Sequence, residues 1–206
     1  MSDVKLYGFQ RSNYFRTARL TLEEKGVAYD IETVALGSDE VRAVHPFGKV
    51  PSLAHGDFVI YETSAICRYV DEAFDGPPLQ PGDIKGRALV EQWISSLNRN
   101  YDTDMIRHVV RERLYAPLRG LEPDEAKIAD ALPRLEREME VLDSQLGQSA
   151  YICGGDVTLA DLFLVPMMSG FQQTPEGQNA LEGRDNIAEW WERMAARPSF
   201  AANTVE

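Results

Sequence analysis

The sequence predicts two domains: an N-terminal α/β domain of order β-α-β-α-β-β-α around a mixed four-stranded sheet, then an all-α domain. Three observations predict it. Short runs rich in aromatic and β-branched residues alternate with helical periodicity up to about residue 76. The stretch Asp75-Gly76-Pro77-Pro78-Leu79-Gln80-Pro81-Gly82-Asp83 breaks the pattern with prolines and glycines. Beyond it the periodicity is helical throughout. The domains are therefore assigned to residues 1–76 and 84–206, with 77–83 as linker.

Each element has its own signal. Val4 to Tyr7 is a short apolar strand ending at Gly8. Asn13 to Lys25 carries Phe15, Ala18, Leu20 and Leu22 at apolar helical positions, and Gly26 stops it. Ala28 to Val34 reads as a second strand, parallel to the first across a right-handed crossover. Ser38 or Asp39 caps a short helix to about Val44. Gly56-Asp57 between two apolar runs predicts an antiparallel hairpin. Thr63 to Phe74 is a third helix, with Ile66, Tyr69, Val70 and Ala73 on one face. In the second domain, Leu89, Val90, Trp93, Ile94, Leu97 and Tyr101 mark one face of a long helix. Ile128, Leu132, Leu135, Met139, Leu142 and Leu146 mark another, with Pro133 expected to kink it or to sit in its first turn. Thr158-Leu159-Ala160-Asp161 is a capping signature, flanked by Val157 and Leu162 as a hydrophobic staple. A last helix holds Ile187, Trp190, Trp191 and Met194 and stops before Pro198.

Composition limits the function. The 206 residues are 44% hydrophobic and 26% charged, with a net charge of −12. That charge argues against nucleic acid or an anionic membrane as partner. Cys67 and Cys153 are the only cysteines; they read as free thiols of a reducing compartment. No secretory leader and no run of about 18 apolar residues is expected, which points to a cytoplasmic protein.

One segment carries chemistry. Val50-Pro51 enters a strand, and the hairpin it begins returns at Tyr61 into a helix opened by Glu62-Thr63-Ser64. Pro51 cannot donate a ladder hydrogen bond, so it belongs at a strand start or edge. A helix start offers unpaired N–H groups and a positive dipole end, which suit a carboxylate. Together these describe a small site for an acidic peptide.

His45-Pro46-Phe47-Gly48-Lys49-Val50-Pro51, the pair Glu62-Thr63, Lys5 to Gly26, and Gly155-Asp156-Val157-Thr158-Leu159-Ala160-Asp161 resemble, in order and spacing, four motifs of the cytosolic glutathione S-transferases, phi-like and bacterial serine-type. The resemblance implies a thioredoxin-like first domain and a helical second domain that carries much of the second-substrate site. It also implies glutathione as cosubstrate, with no metal and no organic cofactor, and a homodimer. Ser12 would be the catalytic residue, its hydroxyl aimed at the glutathione sulfur; a plain helix cap is the other reading, and Asn13 is the rival donor. Glu62 and Thr63 would hold the γ-glutamyl end, unless they too are only a cap. Val50, ahead of Pro51, would pair with the cysteinyl backbone. Lys49 would reach the glycine carboxylate. Phe9, Asn13, Tyr14, Met105, His108 and Tyr115 would line the second-substrate pocket, with Arg11, Arg16 and Arg107 as a cationic rim. Phe47 would contact the partner subunit. His108 has no second His or Cys at ligand spacing. Two other readings compete with conjugation to an electrophile. One is isomerisation of the maleylacetoacetate type, argued by Arg11-Ser12, Arg19 and Lys25-Gly26 but weakened by Asn13-Tyr14, where that class has Ser-Cys. The other is a non-catalytic ligand carrier.

Overall fold

A computed structural model describes residues 2–201. The chain forms two compact units: one runs from the start of the chain to Pro81 and is rejoined by the segment from Ala195 on, and the other is Gly82–Met194. The boundary between the units, after Pro81, falls inside the expected linker of residues 77–83, and the end of the chain returns to the first unit. Residues 202–206 of the expected second domain lie outside the described residues.

The first unit follows the predicted order: β1 (Val4–Gly8), α1 (Asn13–Lys25), β2 (Asp30–Thr33), α2 (Asp39–Val44), β3 (Ser52–His55), β4 (Phe58–Tyr61) and α3 (Thr63–Ala73). The sheet order is β2-β1-β3-β4, with β1 parallel to β2 and antiparallel to β3, and β3 antiparallel to β4. Along β1, Val4, Leu6 and Gly8 are buried and Lys5 and Tyr7 are not, the alternation of a strand with one face on a core. α1 and α3 pack together, burying Phe15, Leu20, Leu22, Ile66, Cys67 and Val70. Ala73, expected on that face of α3, is exposed.

Two polar ties close this unit. Asp71 accepts Lys25 Nζ at 3.2 Å, the Leu79 amide at 2.8 Å and Gln80 Nε2 at 3.1 Å. The proline-rich stretch is thereby anchored, with Leu79 fully buried, rather than acting as a free linker. The final helix, α9 (Pro198–Ala201), packs on α1. Arg197 clamps the Glu24 carboxylate through Nε at 2.7 Å and Nη2 at 2.6 Å, and Ser199 Oγ donates to the same group.

The second unit is all helical. α4 (Ile84–Ser96) runs into a segment of wide π-type winding, Leu97–Tyr115, that ends on an i→i+5 bond from Ala116 N–H to Arg111 C=O. A 3₁₀ turn, Pro117–Arg119, then leads to α5 (Glu125–Leu146), α6 (Leu159–Phe171), α7 (Pro175–Leu181) and α8 (Asp185–Ala195). α6 is apolar on every side and almost wholly buried, as a central helix must be. Its capping box forms: the Thr158 amide and hydroxyl both donate to Asp161 Oδ2 at 2.9 Å. Asp161 is fully buried and also accepts the Ile152 amide and the Trp190 indole N–H, each at 2.9 Å. α5 continues through Pro133, so that proline does not mark its start.

Candidate functional site

Backbone pairing alone brings the expected site residues together. Tyr7 pairs with Ser52, and Ser52 pairs with Tyr61. One residue beyond this rung lie Gly8 at the end of β1, Pro51 at the start of β3 and Glu62 at the end of β4. The loop to Ser12, the Val50-Pro51 entry and the Glu62-Thr63 helix start therefore meet at one end of the sheet. Two helix N-termini, those of α1 and α3, open there.

Ser12 is the N-cap of α1: its Oγ accepts the Phe15 amide at 3.3 Å. Capping uses an oxygen lone pair and leaves the hydroxyl hydrogen to donate. The two readings of Ser12 are thus compatible rather than rival. The first turn of α1 carries no acid that would oppose an anion. Gly8 is fixed by packing, because a Cβ there would lie 2.2 Å from the Phe15 ring. Asn13 Oδ1 accepts Arg16 Nη2 at 2.6 Å, which turns its carbonyl end toward a cation. Arg16 is buried rather than part of a rim, and Arg107 holds Asp102 at 2.6 Å. Arg11 is exposed, and Phe9 and Tyr14 are half-buried.

The peptide bond between Val50 and Pro51 is cis. Pro51 is buried, Val50 half-buried and Lys49 exposed. Among the described residues the Val50 N–H and C=O have no hydrogen-bond partner, as a strand-like edge for an extended ligand requires.

The start of α3 differs from five other helix starts. Ser12, Ser38, Asp83, Asp124 and Thr174 each accept a backbone N–H of the helix that follows. Glu62 makes no such bond. Its backbone sits at φ 68°, ψ 121°, and it is the one non-glycine with positive φ among the described residues. Such a conformation costs about 1–3 kcal/mol and persists where the surroundings impose it. The exposed Glu62 carboxylate thus stands beside an uncapped helix start, next to the buried Thr63. A cap does not account for this pair.

His45 was legible only as part of a motif. It is buried, its Nδ1 accepts the Phe47 amide at 3.3 Å, and its ring lies 4.7 Å from that of Tyr61. Burial holds its pKa below the usual histidine value, against the pull of the Glu62 carboxylate. Phe47 is 69% exposed, with its ring edge-on to Tyr61 at 6.3 Å.

The remaining candidates belong to the second unit. Met105, expected on a pocket wall, has no exposed surface and is core. His108 Nδ1 lies 3.1 Å from Asp104 Oδ1, and Arg134 Nε and Nη2 reach the same carboxylate at 3.0 and 2.9 Å. Tyr115 lines a cavity in that unit. Among the described residues no group of three or more His, Cys, Asp or Glu is arranged to hold a metal ion, and no helix is long and apolar enough to cross a membrane. Both thiols are held protonated: burial pushes Cys67 and Cys153 up to about 12.

Comparison with known proteins matches residues 6–78 to "Glutathione S-transferase, N-terminal domain" and residues 90–198 to "Glutathione S-transferase, C-terminal domain". Glutathione S-transferase F10 of Arabidopsis thaliana is 32% identical over 193 residues, covering 90% of this chain and 89% of that one. Glutathione S-transferase 4 of Zea mays is 32% identical over 207 residues, covering 98% and 91%. Among solved structures, glutathione transferase F7 from Populus trichocarpa superposes with a TM-score of 0.89 at 28% identity, covering 97% of each chain. A theta class glutathione S-transferase from Xanthomonas axonopodis pv. citri, with glutathione bound, gives 0.88 at 26% identity, covering 100% of this chain and 99% of that one.

Proposed function

Because the chain belongs to the glutathione S-transferase family, we propose that it activates the glutathione thiol at Ser12 and delivers the thiolate to a small electrophile. Glutathione is its cosubstrate, as in its relatives. A free thiol has a pKa of about 8.5, so at neutral pH most of it is protonated and weakly nucleophilic. The Ser12 O–H donates to the sulfur and favours the anion, and each unit of lowering corresponds to about 1.4 kcal/mol. The proton leaves to solvent. The sulfur then forms a bond to the electrophilic carbon as the leaving group departs with its electron pair.

The γ-glutamyl carboxylate meets Thr63 and the open N–H groups of α3, and its ammonium meets Glu62. The cysteinyl backbone pairs with Val50. Lys49 answers the glycine carboxylate as a mobile point charge. The observation that carries this reading is the shared rung Tyr7–Ser52–Tyr61, which sets three separate sequence motifs at one end of one sheet. Phe47 supports assembly as a homodimer, since a large exposed aromatic on a loop is an anchor seeking a pocket. A cytoplasmic location agrees with Cys67 and Cys153 forming no disulfide.

The test is retention of the folded protein on immobilised glutathione, followed by conjugation of 1-chloro-2,4-dinitrobenzene. Elution by free glutathione and a thioether product are expected. Neither retention nor product, across halo-aromatic, epoxide and enone substrates, would overturn the reading.

A further inference from the structure

His45 closes a turn with both its backbone and its ring. His45-Pro46-Phe47-Gly48 is a hydrogen-bonded β-turn: the Gly48 N–H donates to His45 C=O at 2.8 Å, with Pro at the second position and Gly at the fourth. Within it a ring nitrogen does what a side-chain carbonyl does in an Asx turn. His45 Nδ1 accepts the amide two residues on, that of Phe47, at 3.3 Å. The His45 N–H meanwhile ends α2 on Val41 C=O at 2.8 Å. The residue is only 2% exposed.

The turn leads directly into Lys49 and Val50. On its other side the imidazole lies 4.7 Å from the ring of Tyr61, the residue before Glu62. The Phe47 ring completes the cluster, edge-on to His45 at 6.0 Å and to Tyr61 at 6.3 Å. One side chain therefore ties the loop after α2 to the end of β4. An acceptor at Nδ1 carries no proton, so the neutral ring is protonated at Nε2. A proton on Nδ1 would set two N–H groups face to face and undo the tie.

We propose that His45 is the positioning residue of the glutathione site, holding Lys49 and Val50 in register with Glu62 through its neutral ring. This rests on the glutathione reading above and adds a control to it. Burial holds the pKa of His45 below the ordinary histidine value, and Lys49 acts in the same direction. Glu62 and the residue's own carbonyl pull the other way. Arg42 lies against Gly48 across the turn. The ring is thus neutral at pH 7.5, and the tie is lost as pH falls below about 6.5 through the lowered value.

The probe is S-methylglutathione, which has no thiol to titrate, bound to the full-length protein in a calorimeter at pH 7.5 and pH 5.0. His45→Phe keeps a ring against Tyr61 but leaves the Phe47 amide without its acceptor, and should bind at least fivefold more weakly at pH 7.5. His45→Asn returns an acceptor to that amide as an Asx turn and takes up no proton, and should bind within threefold of the native protein at pH 7.5. Between pH 7.5 and 5.0 the native affinity should fall at least threefold, and that of His45→Asn less than twofold. Glu62, Lys49, Arg42 and Tyr61 are present in every variant, so their own titration is common to each comparison. Circular dichroism at both pH values establishes that each variant is folded; if His45→Phe is not, the pH response of His45→Asn decides alone. The proposal is overturned if His45→Phe binds within twofold of the native protein, if the native affinity does not fall with pH, or if His45→Asn falls as the native protein does. A native protein that fails to bind S-methylglutathione at pH 7.5 overturns the glutathione reading and this proposal with it, whereas native binding with unmoved variants overturns the role of His45 alone.

Discussion

Ser12 Oγ accepts the Phe15 amide at 3.3 Å, and this bond starts α1 without using the hydroxyl hydrogen. One side chain therefore has two separable duties, helix start and thiol donor. Ser12→Gly separates them, since glycine is a tolerable N-cap and costs only a few tenths of a kcal/mol. Turnover should fall about 100-fold near pH 6.5, equivalent to about two units of thiol pKa. Glutathione affinity should change by less than about threefold, because peptide recognition lies with Val50, Glu62 and Thr63. The sign with pH is fixed. Thiolate is the reactive form, so the rate climbs with pH up to the pKa of the bound thiol. Without the donor that climb moves toward about 8.5, and the deficit shrinks as pH rises. A pH–rate profile checks this, and an unmoved climb would transfer the role to Asn13 or Tyr14.

Glu62 gives a stability–function trade-off. Glu62→Gly relieves a backbone at φ 68° and should stabilise the fold by about 1 kcal/mol. The same change removes the carboxylate and should weaken glutathione binding at least tenfold, about the worth of one charge-assisted hydrogen bond. Glu62→Ala should show the binding loss without the gain in stability. Urea unfolding and titration calorimetry on both variants read the two effects apart.

Phe47 gives a prediction about assembly. Phe47→Glu places a charge where an exposed ring now stands, and should raise the dimer dissociation constant at least tenfold. Sedimentation equilibrium measures it. A dimer of unaltered strength would remove Phe47 from the interface.

Glu138 makes stability depend on pH. Its carboxyl is pushed up to about 8, by burial and then by the neighbouring Asp104 carboxylate, with Arg134 pulling the other way. Its Oε2 is buried without a hydrogen-bond partner. The folded protein keeps this proton between pH 4.5 and 8 while the unfolded chain has lost it. Stability therefore falls as pH rises through that window and levels off above it. Glu138→Gln should be nearly neutral at pH 4.5 and stabilising by about 2–4 kcal/mol at pH 8.5. Urea midpoints at the two pH values decide, and an equal difference at both would rule the mechanism out.

Asp161→Ala should destabilise by about 3–5 kcal/mol. It leaves the Ile152 amide, the Thr158 amide and the Trp190 indole buried without their acceptor. Thermal unfolding followed by tryptophan fluorescence is the measurement.

The sequence made local features readable and left long-range ones hidden. Ser12, Gly26, Ser38 and the Thr158–Asp161 box are signals within a few residues, and each stands where its spacing puts it. Periodicity failed at helix margins: Leu89 and Leu132 are exposed, while Ala131 takes the buried position beside Leu132. Apolar type marks a face only to within one residue, and small residues fill tight contacts equally well. The strand from Ala28 to Val34 contracts to Asp30–Thr33, because its length is set by pairing with β1. The motifs of the site were visible one by one. Their convergence was not, since it depends on a register between Tyr7, Ser52 and Tyr61 that no single segment encodes. The crowding of Asp104 on Glu138 is likewise a product of packing.

The clamp of Arg197 and Ser199 on Glu24 has a consequence for how the chain is made. A ribosome releases all of Gly82–Met194 before it releases the residues that finish the first unit. Until then Glu24, whose side chain is only 6% exposed in the finished fold, has no cation to answer it. The domain that is encoded first is completed last, and a fragment stopping at Pro81 would carry an unanswered charge where the intact chain has a lock.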